Sequence, residues 1–474
     1  MIELIEIRKK VLEGLIKEWE KLEKAPSFTS LPHYNTLKFE IPKLDLRNLL
    51  AFCDQATPLF YWSDRSHEKE YLGIDSIHQV GDSDFLSVIE DIVRENTDLY
   101  YIGGLHFSEN SKETNEWKSF KELKFSLPLA SYERKKQSFI LKINFPKSIL
   151  FNKKEQADFS FKVENVLNFG GYGITETSKT PADLDEQEDA SATFENLSEQ
   201  IRTSDTSLYP QKKEWTEMVQ KCLKELKEDK LTKVVLARKK IFKSRSPIKP
   251  MNFFELCKEE ALGRNFTFFM RPKEFQSFLS FSPERLFLLE NDKIFVDAIA
   301  GTRPTDPNPI KDLEFEKELL DSKKDAFEHM VVCKMIHEKL NEFSKKVYMT
   351  KNMEIMKLSH VQHLQSEFEA ELKPGFNLKS IIEKLHPTPA VGGSPSNKAK
   401  DFIANHEPFE RGLYASPIGI ISKDYTEFAV GIRSALVEQN QIHLFGGAGI
   451  VIGSTPEREW EETQSKMKSF EHYL

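Results

Sequence analysis

Residues 427–453 read EFAVGIRSALVEQNQIHLFGGAGIVIG, and we interpret 427-EFAVGIRSALVE and 440-NQIHLFGGAGIVIG within them as two strand-forming runs of apolar and β-branched residues. The second run leads into 445-FGGAGIVIGSTPEREW, which we predict to be a Gly-rich turn followed by a C-terminal helix from Pro456. A helical block is expected at about 311–345. Further strand runs stand before it: 267-TFFMRP, 277-SFLSFS, 286-LFLLEN and 293-KIFVDAIAG. Runs of strands followed by runs of helices are typical of an α+β (α/β) fold.

The chain toward the amino terminus divides at an acidic stretch. Residues 1–174 open with a predicted helix at about 1–25 and continue with short aromatic strand runs such as 57-TPLFYWSD, 98-DLYYIGGLHF and 137-QSFILKINF. Residues 175–205 are acidic and almost free of large hydrophobic residues, which predicts a surface linker, with a charged solvated helix as the alternative. Residues 206–474 then begin with a helical pattern that includes Trp215 and a strand at 233-KVVLARKKIF.

The bulk composition restricts the classes of function. The 474 residues carry a net charge of −8, which argues against bulk attraction to nucleic acid or to an anionic membrane. No stretch reaches the roughly 18 uninterrupted apolar residues of a membrane span, and we expect neither a signal peptide nor a membrane segment. The four cysteines form no CxxC pair and are expected to be reduced thiols in a cytoplasmic protein. An anionic substrate would therefore need local cations.

Two acidic pairs are candidates for metal binding. Asp325 with Glu328, and Glu459 with Glu462, are each spaced three residues apart and so share a helix face. Two such faces would supply the hard oxygen ligands that Mg²⁺ takes while it keeps positions for water or substrate. The alternative is that both pairs are solvated helix faces, with Lys466 as an ordinary ion-pair partner of Glu462.

Other candidate residues stand beside apolar strands. A buried lysine such as Lys233 can act as a base, and a carboxyl group in an apolar pocket, such as that of Glu284, can act as an acid. The alternative is that each of these residues only ends or caps a strand, and it applies to Lys233, Glu284, Arg433 and His363. The glycines of 445–453 have the spacing GxGxxxG, which fails the dinucleotide fingerprint but allows a small anion or carboxylate site. Motifs of P-loop, zinc-protease and serine-hydrolase enzymes are absent from the sequence.

Several segments taken together resemble the chorismate-utilising enzymes, a family that includes anthranilate, aminodeoxychorismate, salicylate and isochorismate synthases. The similarity covers about residues 210–470 and is looser before them, at 61-YWSDR, 103-GGLHF and 127-LPLASYE. It implies one large unit of two packed, mostly antiparallel sheets with outer helices. The segments that carry it are KVVLAR, FSPERL, DAIAGTRP, KKDAFEHMVV, VQHL, HPTPAVGGSP, EPFERGLYASPIG, FAVGIRSA, GGAGIV and EREWEETQSK.

The resemblance also implies roles for individual residues. Lys233 matches the lysine that activates water for attack on C2 of chorismate, and Glu284 matches the acid that protonates the departing C4 hydroxyl. Glu328 and Glu462 match the principal magnesium ligands, with Glu459 and Asp325 beside them. The residues that match the lining of the substrate pocket are Gly301, Thr302, His363, Tyr414, Arg433, Gly447, Gly449 and Lys466. Within it, Arg433 and Lys466 would supply positive charge for a dianion, and the Gly447–Gly449 turn a close backbone approach to a carboxylate.

The resemblance favours a water-using member of the family. Members that use ammonia from a glutaminase partner typically carry Gln in place of Lys233, so we expect water as the nucleophile and no glutaminase subunit. The segment 386-HPTPAVGGSP is similar to isochorismate synthases. We therefore expect isochorismate formation, with menaquinone synthesis as the preferred pathway and a monomer or weak dimer as the assembly. Salicylate formation, a siderophore pathway and an inactive binding homologue stay open as alternatives.

Overall fold

The computed structural model of the protein describes most of the chain. The described residues are 2–24, 32–53, 56–81, 84–108, 114–168, 206–257, 260, 265–357, 361–471 and 473–474. The acidic linker predicted at 175–205 lies outside these residues, so the structure does not test it.

Strands dominate the architecture. Numbered along the chain, they are β1 (Tyr34–Glu40), β2 (Leu59–Ser63), β3 (Lys69–Ile74), β4 (His78–Val80), β5 (Tyr100–Gly104), β6 (Phe125–Leu127), β7 (Ala130–Lys135), β8 (Ser138–Pro146), β9 (Thr206–Tyr209), β10 (Lys233–Lys243), β11 (Phe266–Lys273), β12 (Gln276–Ser282), β13 (Arg285–Glu290), β14 (Lys293–Pro304), β15 (Ser344–Lys357), β16 (Val361–Leu372), β17 (Gly393–Ser394), β18 (Pro417–Ser422), β19 (Tyr425–Val430), β20 (Ser434–Glu438) and β21 (Gln441–Ile450).

Helices lie between the strands and at both ends of the chain. They are α1 (Ile2–Glu23), α2 (Leu46–Phe52), α3 (Phe85–Glu95), α4 (Asn115–Glu122), α5 (Lys153–Leu167), α6 (Lys212–Lys227), α7 (Pro250–Leu256), α8 (Pro309–Asp321), α9 (Lys323–Phe343), α10 (Leu378–Leu385), α11 (Ser396–His406) and α12 (Pro456–Glu471), with a short 3-10 turn at Lys147–Phe151. The predicted opening and terminal helices are therefore confirmed as α1 and α12.

The strands form two antiparallel sheets. The first has twelve strands, in the order β1-β8-β7-β3-β2-β11-β12-β20-β21-β10-β17, with β9 also paired to β10. The second has nine, in the order β15-β16-β14-β13-β19-β18-β5-β6-β4. The first half of the chain joins the second half in both sheets, through the pair β2 with β11 and the pair β5 with β18. The α+β fold and the single two-sheet unit are thereby confirmed.

The first sheet is covered on both faces. Phe268 and Phe269 are neighbours on β11 and point to opposite faces, because successive side chains of a strand alternate. Phe268 belongs to the large core that also holds Phe287 and Phe428 of the second sheet. Phe269 belongs to a second core, which includes buried residues of α1, α2, α5 and α7. Burial on both faces is the reason that the strand runs of this region are almost continuously apolar.

Two predicted elements are divided in the structure. The predicted strand run at 427–438 forms β19 in the second sheet and β20 in the first, and the chain changes sheet at 431–433, where Arg433 has a φ of +48°. The helical block predicted at 311–345 is α8 followed by α9. Ser322 separates the two helices, and its hydroxyl caps α9 by accepting a hydrogen bond from the backbone N–H of Asp325 at 3.2 Å.

None of the helices in the described ranges combines the length and the apolar character that a membrane crossing requires.

Candidate active site

Lys233 is the first residue of β10, and its side chain is buried at the end of that strand. Its Nζ donates a hydrogen bond of 2.7 Å to Oε1 of Glu328, which lies on α9. Burial raises the pKa of Glu328, but the charge of Lys233 and this hydrogen bond outweigh that effect and leave the pKa lowered. The predicted base and a predicted metal ligand are therefore direct neighbours.

Glu284 lies in the two-residue crossing from β12 of the first sheet to β13 of the second. Its side chain is buried, and that burial raises its pKa to about 7. A hydrogen bond of 3.4 Å from Oγ1 of Thr388 and the positive charges of Lys233 and Lys466 act in the opposite direction. Because the charge of Lys233 acts on Glu284, the two predicted proton-transfer groups share one electrostatic environment.

The Gly-rich segment is a strand, which corrects the predicted turn. Gly447 and Gly449 lie within β21 and pair with Ala237 and Val235 of β10. A Cβ atom at Gly449 would lie 2.8 Å from Cε of Lys233, and one at Gly447 would lie 2.8 Å from the Tyr414 hydroxyl oxygen. The Gly-rich sequence predicts a turn because glycines weaken the interior of a strand. Here the missing side chains make room for two site residues.

Helix α12 brings Glu459, Glu462 and Lys466 to the same region. Nζ of Lys466 donates to the backbone oxygen of Gly447 at 2.9 Å and to Oε1 of Glu462 at 2.8 Å. Burial raises the pKa of Glu459, a hydrogen bond from Ser454 lowers it, and the neighbouring charge of Glu462 raises it again. The charges of Lys324 and Lys466 act on Glu459 in the opposite direction, so carboxylates and ammonium groups of this region influence one another.

His363 presents an unused nitrogen atom in a buried position. Its Nδ1 lies 3.2 Å from the backbone oxygen of Gly301 and 3.0 Å from Oγ1 of Thr302. A carbonyl oxygen only accepts, so we assign the proton to Nδ1, which leaves Nε2 as an acceptor without a partner in the described part of the chain. Burial lowers the pKa of His363 to about 3, and the charge of Arg433 contributes to that shift. His363 is therefore neutral and stands close to Arg433.

Arg433 and Tyr414 complete the predicted pocket. The Tyr414 ring is buried and stacks on Phe445 at a centroid distance of 5.1 Å, and burial raises its pKa. Burial also lowers the pKa of Arg433, against the opposing charges of Glu260, Tyr414 and Glu462. The backbone oxygen of Arg433 accepts a hydrogen bond from the Phe281 N–H at 2.9 Å, but its guanidinium makes no hydrogen bond or ion pair with the described residues and so is available to an anionic ligand.

Asp325 is directed to a different partner from Glu328. Its Oδ2 accepts a hydrogen bond of 2.9 Å from Nη2 of Arg303. It also packs against Gly301, where a Cβ atom would lie 3.1 Å from Cβ of Asp325 and where β14 has a bulge with a φ of +76°. Asp325 thus supports the Gly301 bulge, and a direct metal contact stays a prediction.

The carboxylates can be compared with the needs of magnesium. Among the residues that the structure describes, no three His, Cys, Asp or Glu side chains converge as a group that could hold a metal ion. Magnesium needs only one or two protein carboxylates, because substrate and water supply its other ligands. The carboxylate oxygens of Glu328, Glu459 and Glu462 are the donor type that it prefers, so the residues present fit the ion.

Three contributors to the site were missed by sequence reasoning. Thr388 lies in the HPTP segment, but only the fold brings its hydroxyl to Glu284. The charge of Lys324 acts on both Glu328 and Glu459, although its sequence position suggests only a helix surface. Arg303 in 297-DAIAGTRP pairs with Asp325. Only its basic character was visible in the sequence.

Known proteins share this architecture. The menaquinone-specific isochorismate synthase MenF from Escherichia coli superposes with a TM-score of 0.80 at 24% identity, covering 98% of this chain and 99% of that chain. Anthranilate synthase component I from Streptococcus pneumoniae gives a TM-score of 0.65 at 18% identity, covering 94% and 93%. These similarities confirm the fold.

Sequence relatives carry related names. Isochorismate synthase MenF from Haemophilus influenzae is 28% identical over 438 residues, 91% of this chain and 90% of its own length. Isochorismate synthase 2 from the chloroplast of Arabidopsis thaliana is 32% identical over 370 residues, which are 78% of this chain. That match spans 63% of the plant protein, and the match to MenF from Bacillus subtilis, at 36% identity, spans 54% of each chain. The chorismate binding enzyme family matches residues 20–474, and the chain belongs to that family.

Proposed function

We propose that the protein is an isochorismate synthase, which converts chorismate reversibly to isochorismate. A water molecule adds its oxygen at C2 of the ring and gives a proton to Nζ of Lys233. The ring double bonds shift, and the C4 hydroxyl leaves as water with a proton from Glu284. One water enters and one leaves, so the reaction is an isomerisation.

The observation that carries this proposal is the pairing of a buried lysine with a buried, protonatable glutamate. Water is a poor nucleophile and hydroxide is a poor leaving group, so the reaction needs both a base and an acid. With a pKa of about 7, Glu284 keeps its proton in a substantial fraction of molecules near neutral pH, whereas an ordinary glutamate near 4.5 has lost it.

The positive groups of the site suit a substrate with two carboxylates. Arg433 offers a planar guanidinium that can bind a carboxylate with two hydrogen bonds, and Lys466 offers a point charge. Lys466 is already anchored on the Gly447 backbone and on Glu462. The unpartnered Nε2 of His363 suits a substrate hydroxyl, because it accepts a hydrogen bond and cannot donate one.

We assign Mg²⁺ to Glu328, Glu459 and Glu462, with Asp325 beside them. Bound magnesium would neutralise and orient the ring carboxylate of chorismate. Glu328 could offer Oε2 to the ion while its Oε1 accepts from Nζ of Lys233, and Nζ would take a proton from water only as the neutral amine.

Further support comes from the relatives. Several that match this chain at 28–36% identity are named MenF, and we assign the protein to menaquinone synthesis on that basis. Lys233 favours water over ammonia, so the chain should act without a glutaminase subunit. The four cysteines are buried free thiols, which agrees with a reducing cytoplasmic location.

The test is a product analysis. Purified protein is incubated with chorismate and Mg²⁺, with and without ammonia, and the products are separated by chromatography. We expect isochorismate, and chorismate again when the reaction starts from isochorismate. Salicylate with pyruvate as the main product, anthranilate when ammonia is present, or no turnover would each overturn the proposal.

A further inference from the structure

The crossing that carries Glu284 is held at several points. Ser282 ends β12 and Arg285 begins β13, so only Pro283 and Glu284 span the two sheets. The backbone oxygen of Glu284 accepts a hydrogen bond from the Val430 N–H at 3.0 Å, and its N–H donates to Oγ of Ser282 at 3.2 Å. These hydrogen bonds hold the backbone of Glu284 itself. The residues before and after it, Pro283 and Arg285, are held by contacts of side chains.

Arg65 holds the residue before Glu284. It follows β2 in the first half of the chain, and its Nη1 donates to the backbone oxygen of Pro283 at 3.2 Å. Its Nη2 donates to Oδ2 of Asp297 on β14. The guanidinium also lies over the Phe266 ring, 5.1 Å from its centroid. A residue from the half of the chain without a predicted catalytic group thus contacts the acid-bearing crossing directly.

Arg285 is the residue after Glu284, and it is bound to the same carboxylate. Its Nη1 lies 3.4 Å from Oδ1 of Asp297, and its Nε donates to Oε1 of Glu427 at 2.9 Å. The Asp297 and Glu427 side chains are each 1% exposed, so water screens these ion pairs little. Asp297 thus bridges Arg65, which holds the residue before Glu284, and Arg285, which is the residue after it.

Ion pairs this deeply buried are weak evidence for stability. Removing charges from water costs several kcal/mol per ion, and well-packed apolar residues often replace such pairs without loss of stability. Buried ion pairs can instead fix one geometry, because guanidinium and carboxylate groups bind in few orientations. The position of the network around Glu284 suggests that the geometry it fixes is that of the acid.

We propose that Arg65 and Arg285, bridged by Asp297, are positioning residues that hold the carboxyl group of Glu284 where the leaving hydroxyl must be protonated. This inference rests on the proposed function, because it takes Glu284 to be the acid. It also gives the first half of the chain a part in the reaction, through Arg65.

Asp297 has a second, electrostatic influence on Glu284. Burial is the largest cause of the raised pKa of Glu284, and the negative charge of Asp297 adds to it. Thr388, through its hydrogen bond, and the charges of Lys233 and Lys466 lower that pKa. Arg65 partly compensates Asp297, so the two ends of one ion pair should shift the acid in opposite directions.

The experiment compares Asp297→Asn and Arg65→Met with the wild type in a chorismate assay over a range of pH. Each variant should lower kcat by about 10- to 100-fold, with a smaller change in KM, because a misplaced group costs rate more than binding. In Asp297→Asn the alkaline limb of the kcat profile should move to lower pH, since a negative charge near Glu284 is gone. In Arg65→Met it should move to higher pH, since Asp297 is then less compensated.

Opposite shifts are the decisive result, because a merely structural loss would leave both limbs in place or move them together. Arg134→Met is the matched control: it removes an arginine from an ion pair with the buried Glu70 in the same half of the chain. It should keep the wild-type profile. An active wild type whose two variants retain its kcat and pH profile would overturn the positioning role alone, whereas an inactive wild type would reject the proposed function itself.

Discussion

Nζ of Lys233 lies 2.7 Å from Oε1 of Glu328, so the residue that should take a proton from water is paired with a residue that should hold the metal. This hydrogen bond to Glu328 fixes the position of the lysine Nζ. Glu328 would hold the metal through its other carboxylate oxygen, and Lys233 would take a proton from water only as the neutral amine, since an ammonium group has no lone pair.

We predict that Lys233→Met lowers kcat by about 10²- to 10⁴-fold, the usual contribution of a positioned general base. Methionine keeps most of the volume of the side chain, so the circular dichroism spectrum should match that of the wild type. The control is Lys239→Met, because Lys239 lies on the same strand and is similarly buried in an ion pair of 2.9 Å with Glu116. Near-normal turnover in the Lys233 variant would contradict its role as base.

For Glu284 we predict a conflict between activity and stability. The folded protein keeps the proton of this carboxyl up to about pH 7, whereas an ordinary glutamate loses it near 4.5. Because the native state then binds more protons than the unfolded state, the free energy of unfolding falls as the pH rises from 4.5 to 7. A pKa difference of this size corresponds to about 3 kcal/mol above pH 7.

Glu284→Gln removes that titration. The variant should lose nearly all turnover, yet exceed the wild type in free energy of unfolding by up to about 3 kcal/mol at pH 8 and match it near pH 4.5. Urea unfolding at the two pH values measures this difference. Glu274→Gln, in the exposed turn between β11 and β12, should change neither property. Equal stability of Glu284→Gln and wild type at both pH values would mean that the pKa of Glu284 is not raised.

A third prediction concerns the glycine opposite the base. In Gly449→Ala the new methyl group would lie 2.8 Å from Cε of Lys233, so the flexible lysine must move while the β21 backbone stays. We expect kcat to fall at least about tenfold, because displacement of a reacting group by about 1 Å can lower the rate by roughly 100-fold. The change in stability should stay within about 1 kcal/mol. Ala448→Gly, one residue earlier on the strand, is the control, and a fully active Gly449 variant would show that the space is not needed.

The chain shows which properties of such a site can be read from sequence. The apolar runs of β11 and β12 and the helical spacing of α6 predict their elements directly, because local periodicity reflects burial. The resemblance then supplied Lys233 and Glu284 as a pair. Neither source predicted that 427–438 divides between two sheets, because a change of sheet depends on partners distant in sequence.

The unpredicted part of the site has the same cause. Arg65 and Asp297 are separated by 232 positions, and nothing in the local sequence of either residue indicates an ion pair. Arg65 stands in 61-YWSDR, which carried only a loose resemblance, and Asp297 reads as one acidic residue in an apolar strand. Residues that act through a catalytic group become visible only when the fold brings their contacts together.

The last prediction tests the metal assignment on α12. Glu462→Gln should raise the magnesium concentration that gives half-maximal rate by at least about 10- to 100-fold. Loss of a residue that only supports a metal ligand already has an effect of roughly this size. The neutral amide is a poorer ligand, and it also leaves Lys466 without the carboxylate that it contacts at 2.8 Å.

The control is Glu461→Gln, since Glu461 is the exposed neighbour on the same helix. Rates measured against magnesium concentration, with calorimetric titration of the ion alone, distinguish a metal ligand from a residue that only orients Lys466. A ligand loses ion affinity in both measurements, whereas an orienting residue changes only the KM for chorismate, and that outcome would remove Glu462 from the metal site.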